Sequence, residues 1–119
     1  MFKDVLREVV ERTDGSIGGL LMGFDGIPVE QYLRTGSELD LETIGMEYSV
    51  VLSQITAAAE ALDAGTTREI SIQNDRLTTV IRLLNKEYFV ALTLGTHGNA
   101  GKGRFLLRTL TPKLLDELV

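Results

Sequence analysis

Residues 15–32 read GSIGGLLMGFDGIPVEQY, with glycines at 15, 18, 19, 23 and 26. A stretch this rich in glycine is either a loop cradling phosphate or two strands that turn and pack tightly. A dinucleotide fingerprint must run from a strand into a helix, because the helix N-terminus holds the pyrophosphate. Here the glycines do not follow G-x-G-x-x-G, and a second strand comes next. Asp25-Gly26 is a hairpin signal, since tight hairpin turns need positive φ. After it Val29, Gln31 and Leu33 alternate with Glu30, Tyr32 and Arg34, as in a strand with one wet face. The stretch therefore reads as a hairpin of about Ser16–Phe24 and Pro28–Arg34, with Gly18, Gly19 and Gly23 giving a central strand room for a closely packed helix.

Outward from the hairpin the other elements fall into place. Phe2, Val5, Leu6 and Val9 have helical spacing, and Asp14-Gly15 ends that helix. The segment GSELDLETIGMEYSVVLSQITAAAEALDAG predicts a long helix from about Leu39 to Ala64, with Ser37 or Asp40 as cap and Gly65 beyond its end. TREISIQ, RLTTVIRLLN and KEYFVALTLG read as three strands, turning at Asn74-Asp75 and Asn85-Lys86. RFLLRTLTPKLLDELV is a last helix, which Thr111-Pro112 is expected to kink or restart. The order is α-β-β-α-β-β-β-α. Hairpins dominate, so the expected fold is α+β: a five-stranded antiparallel sheet with helices on both faces, an α/β/α sandwich.

Composition narrows the function classes. A chain of 119 residues is read as one domain, spanning 1–119. It has no cysteine, which excludes disulfides, thiolate zinc sites and a cysteine nucleophile. Seventeen acids against twelve bases argue against a nucleic-acid or anionic-membrane surface. MFKDVLREVVERTDG has none of the pattern of a signal peptide, and no apolar run is long enough to span a bilayer. The expectation is a soluble cytoplasmic protein with no cofactor and no metal.

GTHGNAGKGRF follows a strand and opens a helix, so it is the more serious phosphate-loop candidate. A Walker loop needs G-x-x-x-x-G-K-[ST]. Counting back from Gly101 puts Thr96 where the first glycine belongs, and Gly103 where the magnesium-binding hydroxyl belongs. His97, the single histidine, builds no metal cluster. Asp116 and Glu117 are adjacent and point to different helix faces. No active site emerges, and the chain reads as non-enzymatic.

The long helix carries the signal that rises above background. At 100° per residue, Ile44, Tyr48, Val51, Leu52, Ile55, Ala58, Ala59 and Leu62 form one broad stripe that can cover the sheet. Met46, Val50, Ala57 and Ala61, with Ser53 beside them, form a second stripe, rich in small residues that let another helix approach. REISIQ, with Ile70 and Ile72 on one face, reads as an edge strand open to pairing. Together Met46, Val50, Ser53, Ala57, Ala61, Ile70 and Ile72 are the expected interface of an isologous homodimer.

With these elements placed, the chain resembles the roadblock (dynein light chain) family. GGLLMGFDGIPVEQY resembles that family's opening hairpin, and GNAGKGRFLLR its passage into the last helix. The resemblance implies a profilin-like roadblock fold whose copies pair through central helix and third strand into one continuous sheet. It also implies a partner: bacterial members of the MglB type bind small Ras-like GTPases and regulate their nucleotide cycle, and eukaryotic members scaffold dynein or membrane-associated GTPase complexes. Pro112 and the TPKLLDELV ending depart from the family pattern. Arg34, Lys102 and Arg104 are the candidate partner-contact residues, and Arg34, Arg68, Arg104 and Arg108 the candidate arginine fingers. The competing reading is a small-ligand sensor of PAS or profilin-like type, with a pocket between sheet and helix where Gly18, Gly19 and Gly23 leave room. An enzyme using the 95–103 loop is a third and weaker one.

Overall fold

The computed structural model describes residues 1–118. Its elements are α1 (Phe2–Arg12), β1 (Ser16–Gly23), β2 (Pro28–Leu33), α2 (Leu41–Ala61), β3 (Glu69–Gln73), β4 (Leu77–Leu83), β5 (Tyr88–Gly95) and α3 (Ala100–Leu118). The five strands form one antiparallel sheet in the order β2-β1-β5-β4-β3. The expected α/β/α sandwich is therefore present, and the hairpin reading of residues 15–32 holds. β5, last in sequence, is the middle strand; β1 lies one place from it.

Period-two alternation sorts the strand side chains between two cores. Leu21, Val80, Val90, Leu92 and Leu94 meet Val5, Leu6, Val9 and Val10 of α1 and Leu106, Leu107 and Leu114 of α3. On the opposite face Leu20, Met22, Ile81, Phe89 and Ala91 meet Leu41 and Leu52 of α2. At the ~25 cal/mol per Å² that apolar burial contributes, side chains of this size stabilise by roughly 2 kcal/mol each before entropy is counted. The glycines of β1 do make close approaches. A Cβ on Gly19 would lie 3.3 Å from a Val10 methyl, and one on Gly18 2.7 Å from Leu41. Gly23 instead serves the turn, packed against the Asp25 carboxylate. That carboxylate accepts from the Ile27 amide at 3.0 Å, and Gly26 takes φ +85°.

Helix α2 starts two residues later and stops three earlier than the spacing predicts. Asp40, not Ser37, caps it: its carboxylate accepts from the Thr43 amide at 3.1 Å and the Thr43 hydroxyl at 2.7 Å. These bonds hold the Asp40 carboxyl below its ordinary range, first through the hydroxyl and then the amide. At the other end Asp63 turns to φ +53°, and Gly65 takes φ +89°.

The broad stripe of α2 is a partial match to the face that meets the sheet. Leu41, Gly45, Ser49 and Leu52 form the buried line, whereas Val51, Ala58 and Leu62 are exposed. Gly45 is the physical reason. Without a side chain it lets Leu20 and Met22 of β1 pack against the helix backbone, where any Cβ would collide with them. This rotates the seam away from Val51. Helix α3 runs through Pro112 as one element, so the helix does not restart there. Pro112 sits on the exposed side, where the Arg108 carbonyl that loses its partner can be hydrated.

Candidate functional site

Three regions were singled out by sequence: the glycine-rich 95–103 loop, the second stripe of α2 with β3, and the basic residues Arg34, Lys102 and Arg104. The loop is a packed junction. The Gly95 amide donates to the Gly15 carbonyl at 2.9 Å, and the Asn99 amide to the Asp14 carbonyl at 2.8 Å. A Cβ on Gly98 would lie 2.8 Å from the Leu94 Cβ, and one on buried Gly103 2.6 Å from Leu92. The Asn99 side chain accepts from the Lys102 amide at 3.0 Å, capping α3 internally. These glycines therefore bring two loops and a helix together, and two loop amides that a phosphate would need are already committed. Among the described residues no three His, Cys, Asp or Glu side chains are grouped to hold a metal.

The room expected at Gly18, Gly19 and Gly23 is filled by Leu41, Leu33, Val10 and Asp25. A groove of about 890 Å³ lies elsewhere, at the C-terminal half of α2, where Ser53, Thr56 and Glu60 face Leu83 and Lys86.

The second stripe of α2 points away from the sheet. Met46 is 55% exposed and Val50 61%, and Ser53, Ala57 and Ala61 are exposed on the same line. Val51 and Leu62 widen this apolar face on its flank. It bears acids, Glu42, Glu47 and Glu60, but no base. Strand β3, reached from the end of α2, is a sheet edge with no bulge. The Leu83 amide donates to the Arg68 carbonyl and the Asn74 amide to the Leu77 carbonyl. In an antiparallel ladder this alternation leaves the backbone groups of Glu69, Ser71 and Gln73 directed away from β4. Ile70 and Ile72 are half-buried on the α2 side of the sheet. The two halves of the expected interface, helix stripe and open strand, thus lie on one chain segment.

The basic residues separate. Arg34 is built into the fold. Its Nε donates to the Ser16 carbonyl at 2.8 Å, Nη2 to the Val10 carbonyl at 2.6 Å, and Nη1 to Glu11 at 3.1 Å. It ties β2 to the end of α1. Arg104 places Nε and Nη2 each 2.8 Å from one oxygen of Glu69, so α3 is tied to β3. Arg82 of β4 approaches the same carboxylate at 3.9 Å, and its Nε is buried without a partner. Arg108 lies over the ring of Phe105, 5.9 Å from its centroid. Lys102 is half-buried at the start of α3. Sequence reasoning missed the Glu69 bridge and the exposed Phe105, because neither shows until α3 is laid beside β3.

No protein-family model matches the chain, and no curated protein matches it in sequence. Solved structures do. The crystal structure of MglC from Myxococcus xanthus is 41% identical, with 98% of each chain covered and a TM-score of 0.71. The chain belongs to the roadblock/LC7 family. The roadblock/LC7 domain from Streptomyces avermitilis is 16% identical over 95% of this chain at a TM-score of 0.76. The gliding protein MglB from Thermus thermophilus is 17% identical over 91% of this chain, covering 81% of its own, at 0.80. At those identities the last two show that the roadblock fold is shared.

Proposed function

We propose that this roadblock protein is a non-enzymatic homodimeric scaffold that binds a small Ras-like GTPase and regulates its nucleotide cycle in the cytoplasm. The observation that carries the dimer is the outward stripe of α2 leading into the open edge of β3. An apolar, small-residue helix face of this size on a soluble chain is a docking surface, and an edge without a bulge invites a second strand. A two-fold axis beside β3 would join Met46, Val50, Ser53, Ala57 and Ala61 to their counterparts, with Ile70 and Ile72 under the seam. Family membership, and the MglB structures with the same fold, support the GTPase as partner; the gliding protein among them makes cell motility or polarity the process to examine.

The engaged arginines favour docking over an inserted finger. A finger stabilises the transferring phosphoryl group by reaching into the partner's site. Arg34 is tied into the fold, Arg104 is bridged to Glu69 and Arg108 lies over Phe105, which favours activation through the partner's own switch loops. Arg68, exposed before β3, is the remaining candidate and is removed in the test. Lys102 and Arg104, at the start of α3, are assigned to partner contact, whereas Arg34 supports the fold at the β2 edge. The test mixes the purified protein with each Ras-like GTPase of the same genome and measures complex formation and GTP turnover. Complex formation with one of them, surviving Arg68→Ala, is the expected result. No complex with any would sink the proposal.

A further inference from the structure

The two layers that flank the sheet are opposite in charge. From residue 35 to 67 the sequence carries six acids and no base; from 88 to 115 it carries four bases, Lys102, Arg104, Arg108 and Lys113, and no acid. The first segment holds α2 and the second holds most of α3, on opposite faces of the sheet. The neighbouring helix α1 neutralises itself, through Arg7 with Asp4 at 2.9 Å and Arg12 with Glu8 at 2.8 Å. Helix α3 does not: among the described residues its one bridge to an acid is Arg104 with Glu69. On its outward face Arg104, Phe105, Arg108, Thr109, Pro112 and Lys113 are exposed, Phe105 at 49%, and only the last turn adds exposed acids, Asp116 and Glu117.

We infer that the outward face of α3 docks an acidic protein segment that presents an apolar side chain between carboxylates. Arginine and aromatic residues are the side chains that anchor protein interfaces. Here Arg108 covers part of the Phe105 ring, and the Glu69 bridge holds Arg104, so both guanidinium planes are oriented before a partner arrives. Pairing with carboxylates complements the basic first turns of α3, from Lys102 to Lys113, and steers the encounter. A protein segment fits better than a nucleic acid or a lipid surface. Four cations along one helix are few for a polyanion, which needs a longer basic track to neutralise many phosphates at once. The inference rests on the assignment of Lys102 and Arg104 to partner contact, and adds Phe105, Arg108 and the chemistry of the surface they meet.

The experiment uses the full chain and a fluorescein-labelled amphipathic peptide of Glu and Leu at helical spacing, read by fluorescence anisotropy. The wild type should bind it, more weakly as salt rises, and Arg108→Glu and Phe105→Ser should each weaken binding at least about tenfold. Both positions are exposed, so unchanged circular dichroism is expected of the variants. The same peptide with Lys for Glu should not bind. Absence of peptide binding, equal binding by the variants, or preferential binding to phosphatidylserine vesicles or duplex DNA would each overturn the inference. No GTPase is present in this assay, so its failure is separate from failure of the turnover test.

Discussion

At one edge of the sheet β2 begins at Pro28, shifts register against β1 between Leu21 and Met22, and is fastened to α1 by Arg34 and by Tyr32 through Glu11. At the other edge β3 pairs with β4 residue for residue from Glu69 to Gln73 and leaves its outer backbone groups in water. Proline, a shifted register and a covering helix are the devices by which proteins stop edge strands from pairing. The first edge has all three. The second has none beyond its short length and the charges of Glu69 and its two arginines. The difference teaches which edge this chain closes by itself and which edge it leaves open to a second strand.

Four experiments break or sharpen that contrast. The largest effect is expected from Val50→Glu, which places a carboxylate from each copy in the proposed helix seam. Light scattering should move from about twice 13.1 kDa to the monomer mass, a loss of roughly 3 kcal/mol or a hundredfold in dissociation constant. Because Val50 is exposed in the monomer, its melting temperature at high dilution should hardly change; an intact dimer would show that the helix stripe is not the interface. Ser71→Pro comes next. It removes an amide directed away from β4, so the β3–β4 ladder survives while strand addition is blocked, weakening the dimer by about tenfold or more. A dimer of unchanged strength would place the seam away from this edge.

The closed edge answers to a different measurement. Arg34→Ala should cost about 2 kcal/mol in urea unfolding, since it strips charge-assisted bonds from the carbonyls of Val10 and Ser16, and it should leave dimerisation intact. A variant as stable as wild type would mean that Pro28 and the α1 packing suffice to close that edge. The smallest effect concerns the start of α2. Hydrogen bonding depresses the Asp40 carboxyl from its ordinary 3.8, so its contribution to stability is present above that value and lost as pH falls through the lower, folded one. Melting temperatures from pH 5 downward should show a small loss in that window, absent in Asp40→Asn. An identical pH profile in the variant would remove Asp40 as the source.

The hairpin at Asp25-Gly26, the caps and glycines that bound α2, and the outward line Met46, Val50, Ala57, Ala61 were all legible, because each rests on local geometry: a turn needing positive φ, a cap, a 100° step. Other features were not. The pairing of β5 with β1, which puts the last strand in the middle of the sheet, follows no sequence order, since distant strands become neighbours through the faces they bury together. The seam of α2 was misjudged by its most apolar residues; packing chose Gly45, whose value is the absence of a side chain and is invisible to hydropathy. Pro112 failed to break α3 because burial of Leu106, Leu107 and Leu114 outweighs one missing hydrogen bond on a wet face. Sequence alone therefore determined the elements, the hairpins and the presence of a spare helix face, which are local properties of a few consecutive residues. Tertiary structure decided which arginines are spent in the fold, which edge is closed, and that Phe105 stands out among cations, because each depends on residues that only folding brings together.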